Sequence, residues 1–452
     1  MSSDPRAQFK QWLENGDARL QPLTLPQREL WEHAAVPVAD PANHICGLIE
    51  IKGPITPEQG AAALQRVIER QEALRISFLP GKGRPLQMIR TTGTAVLGFR
   101  VLKANDVLED VMQQICRQPF DMLQGPLHRM EMIRRAPNDH VLAFAFHHAI
   151  ADGWSLGVFV QDLCTAYVMG LSGLRKTMAM GMMGLKNSLL PVTQTYSEWA
   201  TAERALCQPE LLASKVAFWK SQLAGSSRIW SGATEAAPLQ RWVAVIPSNL
   251  VRGVKSLAVS HSTTMFSTLL AAFQLSLAKW TGKDDILVGT PVANRNKVTI
   301  RQTIGYFAGV VPLRAQIDPS HNFSQHLQAV ATAALDAFAN AMPFAELAAA
   351  LGADHTAGEH AIFDVRFALQ NHPVPDVVMA RISTKLRMRS TGTARFDLGC
   401  EITEIGSELE VVWLFKPRRI PAATIAALHE LFLAILKLVS SNPQHRVTAL
   451  TN

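Results

Sequence analysis

The change of hydrophobic period along this chain is sharpest at Val141–Ser155, VLAFAFHHAIADGWS. Val141 to Phe146 is an unbroken apolar run of strand length, closed by His147 and His148. From Trp154 onward Leu156, Phe159, Val160, Leu163 and Tyr167 recur at helical spacing. The pattern predicts a buried strand, a tight loop and a helix. Elsewhere it predicts strands at Cys46–Ile51, Trp242–Ile246 and Ile362–Asn371, and a strand within Asp284–Asn296 that ends in a turn with Arg295 at its tip. Helices are expected from near Gln27 within Leu23–Ala34 and at Thr56–Glu72, Val216–Leu223, Thr263–Trp280 and Ile425–Val439. The second of these opens with Thr56 as cap and Pro57 at the first helical position.

Composition narrows the class. At 452 residues the chain suits two or three domains, and 48% hydrophobic with only 18% charged residues speaks against disorder. Lys plus Arg is 44 against 37 Asp plus Glu, a net charge of +7. With no dense basic run among aromatics this does not point to nucleic acid, but it suits an acidic protein partner. Cys46, Cys116, Cys164, Cys207 and Cys400 are scattered without metal spacing, and most read as small buried residues in a reducing compartment. The first 17 residues lack the apolar core of a secretion signal, and no uninterrupted apolar segment is long enough to span a bilayer. A cytoplasmic protein without a membrane segment is expected.

The candidate chemistry lies in the loop. Adjacent strand residues face opposite sides, so His147 and His148 should not share one metal ion. One should face the chemistry and the other the packing. Taken singly, each residue has a plainer reading: a buried histidine is more often a satisfied core residue, and Asp152 could simply cap the next helix. An imidazole, a carboxylate and Gly153 in one tight loop make a stronger case together.

HHAIADGWS resembles the HHxxxDG motif of condensation domains of nonribosomal peptide synthetases, shared with relatives built like chloramphenicol acetyltransferase. The resemblance implies that His148 is catalytic, that His147 is a packing neighbour, and that Asp152 is a structural organiser bonded to Arg295. Backbone N–H groups near Gly153 are the candidate donors to a developing oxyanion. Trp154, Ser155 and Gly309 are candidates for lining a substrate tunnel. Further segments follow the family in order: LTLPQRELWEHA with Gln27, Arg28 and Trp31; RQEALRISF with Arg75 in a supporting role; TYSEWATAERA with Tyr196 and Trp199. TIGYFAGVVPLR then matches IGxFVNTxxLR at Ile304, Gly305, Phe307, Leu313 and Arg314, but has Gly309 where the family usually has asparagine. AMPFAEL, IFDVRFALQN and ARFDLGCEI complete the set.

What the resemblance implies is an α/β fold: two chloramphenicol-acetyltransferase-like subdomains, residues 1–185 and 186–452, in a V-shaped pseudo-dimer with a central tunnel. The implied reaction moves an acyl chain from the phosphopantetheine thioester of an acyl- or peptidyl-carrier protein, acting in trans, to a hydroxyl or amine of a small-molecule acceptor. Ester formation with chain release is the preferred reading, in nonribosomal peptide or hybrid polyketide biosynthesis of the antibiotic type. No bound cofactor, no metal and a monomer are expected, and no adenylation, carrier or thioesterase segment is left to place. The rival readings are a coenzyme-A-dependent acyltransferase of the same superfamily and a non-catalytic recruitment module; the intact His148, Asp152 and Gly153 count against the latter. The methionine-rich stretch Met169–Pro191 is either adaptable filler or a pliable wall for a chain or partner.

Overall fold

A computed structural model describes residues 5–32, 37–80, 85–171, 176–177, 180, 189–230, 239–353, 362–370, 377–379, 382–389 and 396–451. Its strands form two six-stranded sheets and one of three strands. The first large sheet runs Val377–Met379, Ile382–Arg389, His44–Lys52, Asp139–His147, His128–Ala136, Leu97–Val101. The second runs Gly309–Gln316, Asp285–Val292, Val365–Gln370, Leu398–Ile405, Glu408–Phe415, Gln240–Ile246. The small sheet orders Ala18–Pro22, Leu86–Arg90, Ile76–Leu79.

The apolar run of the sequence becomes Asp139–His147, buried throughout except at its first residue and paired antiparallel on both sides. Phe144 and Phe146 pack on Phe159 of the helix Gly153–Gly170. His147 lies against His44 and Phe120 instead, near the helix Leu108–Arg117. A strand covered on both faces needs an unbroken apolar sequence, and each fully buried aromatic contributes about 1.5–3 kcal/mol. The strand therefore ends, and its loop begins, inside the core.

Several boundaries shift from expectation. The helix at Thr56 runs Pro57–Arg70 under a Thr56–Gln59 capping box and gives way to a 3-10 turn at Glu72–Arg75. The helix expected near Gln27 begins two residues earlier, at Leu25. Among the described residues one helix, Ala422–Ser441, is long and apolar enough to cross a membrane by length and composition, although Glu430 and Lys437 interrupt it. Its Ile425, Leu428, Phe432, Ile435 and Val439 are nevertheless buried in the second core. Of the methionine stretch, Met178, Met182 and Met183 lie outside the described residues, as do Ala394 and Arg395. Met180 and Leu189 pack against the first core.

Two large cores result. The first is not confined to residues 1–185: it takes in Tyr196, Trp199 and Ala200, Ile300, Ile304, Tyr306 and Phe307, and Ile382. The second gathers residues from Leu212 to Leu450. Strand Ile382–Arg389 crosses back to pair antiparallel with His44–Lys52, from Ser383 opposite Lys52 to Arg389 opposite Cys46. The late chain thus completes the early sheet.

Gly47 makes this junction close. A Cβ there would sit 2.6 Å from Phe144 Cζ and 2.7 Å from the Arg387 carbonyl. Gly47→Ala should therefore lower unfolding stability by about 1–3 kcal/mol, because three strands must part to admit it. Urea denaturation checks this; an unchanged midpoint would mean that the three strands are not packed this tightly.

Candidate active site

Asp152 caps the helix Gly153–Gly170, as its spacing allowed, but its carboxylate does far more. Oδ1 accepts from Ser155 N at 2.9 Å, Ser155 Oγ at 2.8 Å and Arg295 Nη2 at 3.0 Å. Oδ2 accepts from the backbone N–H groups of Phe307 at 3.0 Å and Ala308 at 3.2 Å. Burial alone would push the carboxyl up; Arg295 and the Ser155 and Phe307 hydrogen bonds outweigh it and hold Asp152 below the ordinary carboxylate value.

Arg295 is buried too. Nη1 donates to the carbonyls of Ile300 (2.9 Å) and Thr303 (2.7 Å), Nη2 to Asp152 and to Ser155 Oγ (2.9 Å), and the guanidinium lies 4.0 Å from the Phe307 ring centroid. Burial lowers its pKa, and Asp152 opposes that. Ser155, expected to line a tunnel, is instead 1% exposed inside this bridge, bonded to Asp152, Arg295 and Gly305. It has no surface left to offer a substrate. Gly305 is tight as well: a Cβ would meet Tyr196 at 2.4 Å.

The two histidines part because the strand ends at His147 and His148 opens a 3-10 turn. His147 is fully buried; Nε2 lies 2.7 Å from the Val38 carbonyl and Nδ1 accepts from Ala149 N, which fixes the neutral Nε2–H tautomer. His148 begins a short 3-10 turn and is half-buried, its ring 4.5 Å from that of Tyr306. Gln27 donates to the carbonyl of Ala149 at 2.9 Å, so the helix Leu25–Glu32 steadies the same turn. Gly153 is the first helical residue; a helix leaves such an N–H unused, and Asp152 takes that of Ser155. The Trp154 indole donates to the Arg301 carbonyl at 3.0 Å, a second clasp between the halves. Gly309 opens the strand Gly309–Gln316 opposite Val292, immediately after the backbone that grips Asp152. An added Cβ there would be 3.0 Å from Asn294 Nδ2, which donates to the Phe307 carbonyl.

The site thus brings together His147, His148, Asp152, Ser155 and Arg295, with Trp154 and Gly309 at its flanks. Tyr306 and the Phe307 and Ala308 amides were not singled out from the sequence. Tyr306 occupies the free position of IGxF, so only its aromatic character could have marked it. Among the described residues no group of three His, Cys, Asp or Glu is placed to hold a metal ion.

The chain belongs to the condensation-domain family, whose model matches residues 17–451. It is 29% identical over 448 residues to a polypeptide of the linear gramicidin synthase of Brevibacillus parabrevis, a match that covers 95% of this chain but 8% of that protein. Against phosphinothricin tripeptide synthetase PhsC of Streptomyces viridochromogenes it is 26% identical, covering 95% of this chain and 40% of the relative. The chain therefore spans well under half the length of these relatives. Among solved structures it superposes on the X-domain of teicoplanin biosynthesis, in its complex with OxyB, with a TM-score of 0.81 at 20% identity over 95% of each chain. For SgcC5 of Streptomyces globisporus the TM-score is 0.77 at 23% identity, over 94% of this chain and 100% of that one. The α/β fold is that of the chloramphenicol-acetyltransferase-like condensation domains.

The bridge generates a stability prediction. Because the folded value of Asp152 is depressed, its contribution is present above the ordinary carboxylate pKa and lost as pH falls through the folded value. Asp152→Asn should cost roughly 3–5 kcal/mol at pH 7. The gap between wild type and variant should close below about pH 4. Chemical denaturation across pH checks both; a gap that is constant with pH would show that the ionised carboxylate is not what stabilises the fold.

Proposed function

We propose that the chain transfers an acyl group from a phosphopantetheine thioester, presented in trans by an acyl- or peptidyl-carrier protein, to a small-molecule acceptor, with a hydroxyl preferred to an amine. The observation that carries this reading is the half-buried His148 at the end of a fully packed strand, its loop clamped by Asp152 and Arg295. A preference for an alcohol is supported by SgcC5, solved with a naphthyl 1,2-ethanediol.

In this reading the acceptor O–H gives its proton to the His148 imidazole as the oxygen attacks the thioester carbonyl. Nδ1 is buried, so Nε2 is the proposed base. The C–O bond forms, and charge gathers on the carbonyl oxygen, with the Gly153 N–H as the proposed donor. Collapse breaks the C–S bond, and the thiol leaves with the proton returned by the imidazolium. A thioester is already activated, so positioning and exclusion of water supply much of the acceleration. An amine attacks as the free base, and for it His148 chiefly orients. The tunnel walls are proposed at Trp154 and Gly309.

His148→Ala should reduce acyl transfer to an alcohol by on the order of 10²–10⁴-fold while leaving the unfolding midpoint near wild type. Intact-mass analysis of loaded carrier proteins with candidate acceptors reads this directly. Wild-type turnover by the variant would end the base assignment.

The net charge of +7 supports an acidic carrier. Raising salt shortens the Debye length from about 10 Å at 0.1 M toward 3 Å at 1 M. Apparent affinity for the loaded carrier should fall across that range while the saturated rate stays level. An affinity indifferent to salt would remove the electrostatic encounter. The second reading is a coenzyme-A thioester donor, as the starter condensation domain of rhizomide synthetase, TM-score 0.78 at 19% identity, was solved with C8-CoA. Equal turnover of one acyl chain from coenzyme A and from the carrier would favour it.

A further inference from the structure

A cavity of about 470 Å³, within the size range of small-molecule sites, opens beside the small three-stranded sheet. It is lined by Trp12, Arg75, Arg90 and His128, with Ile68 and Leu74 among its apolar surfaces. None of these belongs to the Asp152 bridge.

Three of these side chains are imperfectly satisfied. The His128 ring is 4% exposed and bonds to the Leu74 backbone, and burial pushes its pKa down to about 4, so it is neutral at pH 7. Its Nδ1 is buried with no hydrogen-bond partner among the described residues, a lone pair facing no donor. Arg90 gives Nη2 to the Gln124 carbonyl and rests its guanidinium 4.7 Å from the Trp12 ring centroid. Its Nε is buried and also unpartnered among the described residues, and burial lowers its pKa with no carboxylate there to oppose it. Arg75 spends Nε on the Arg90 carbonyl (3.0 Å) and Nη1 on those of Ile68 (2.5 Å) and Glu69 (2.7 Å), leaving Nη2 over. The carboxylate at the cavity is Asp17, exposed at its rim. Glu69 and Glu72 also act on Arg75, but Glu72 is paired with Arg19 and Glu69 accepts from Gln65. Asp17 is therefore the carboxylate that lines the cavity with the two half-buried cations, an arrangement that favours a negatively charged guest.

The geometry points to a binding site for a small organic acid: a carboxylate for Arg75 and Arg90, an adjacent hydroxyl or amide donor for His128 Nδ1, and a flat or branched apolar body against Trp12, Ile68 and Leu74. Arginine forks match a carboxylate in two hydrogen bonds, and the aromatic and aliphatic walls take the remainder by burial. The site is independent of the acyl-transfer reading.

Isothermal titration calorimetry of the full chain with 2-hydroxy-3-phenylpropionate tests it, with 3-phenylpropionate and inorganic phosphate as companions. Saturable binding of the hydroxy acid is expected, weaker by roughly tenfold without the hydroxyl, since the His128 hydrogen bond is then missing. Arg90→Gln should weaken it by at least about tenfold. Thr94→Trp, at the exposed rim, should block entry without disturbing the core. Both variants should keep wild-type acyl transfer at saturating substrate. The proposal is overturned if no saturable binding occurs, if the hydroxyl makes no difference, if Thr94→Trp binds like wild type, or if phosphate binds as tightly as the hydroxy acid.

Discussion

The carboxylate of Asp152 collects donors from two distant parts of the chain. Ser155 supplies its amide and hydroxyl from three residues away, while Arg295, Phe307 and Ala308 reach it across 143, 155 and 156 residues. A buried ion pair is not stabilising by default, because desolvating both charges costs several kcal/mol each. What tips the balance is the number of hydrogen bonds: Arg295 also satisfies two backbone carbonyls, so most of the polar capacity of both partners is used. Removing either partner leaves the other stranded. The start of one helix, the turn at Ile300–Ile304 and the entry to the strand Gly309–Gln316 all take their place from this contact.

His148 inherits its position from that frame. The Asp139–His147 strand is held between two neighbours, His147 is locked by Val38 and Ala149, and Gln27 holds the turn by the Ala149 carbonyl. Tyr306, one residue before the amide that grips Asp152, lies against the His148 ring. The same carboxylate therefore fixes both the backbone that carries the imidazole and the aromatic ring that borders it. For the proposed reaction this is the useful property, since an activated thioester needs its partner oriented more than it needs strong acid or base.

Much of this was legible in the sequence, for identifiable reasons. The strand, loop and helix around Val141–Ser155 follow from a switch between run and period, and Thr56-Pro57 marked a helix start correctly. Strand alternation led to the expectation that His147 and His148 differ in surroundings, but in the structure the difference comes from the end of the strand at His147 and the 3-10 turn that His148 opens. The partnership of Asp152 with Arg295 follows from no local pattern, because no spacing rule connects residues 143 apart; it came from the family resemblance. Ser155 was a tunnel candidate on the resemblance, and its burial inside the bridge depends on tertiary partners that no local pattern shows. The crossover strand Ile382–Arg389, with Lys385, Arg387 and Arg389 among its residues, gives little sign that it completes a sheet begun at His44. The buried amides of Phe307 and Ala308 carry no side-chain signal at all.

The central claim is that Asp152 and Arg295 act as one unit joining the two halves. A double-mutant cycle on unfolding free energy, with Asp152→Asn, Arg295→Gln and the pair, measures that directly. The account predicts a coupling of about 1–3 kcal/mol, so that the double variant loses less than the sum of the two single losses by that amount. Additive losses would contradict it, because two side chains that do not depend on each other cannot be the joint of the structure.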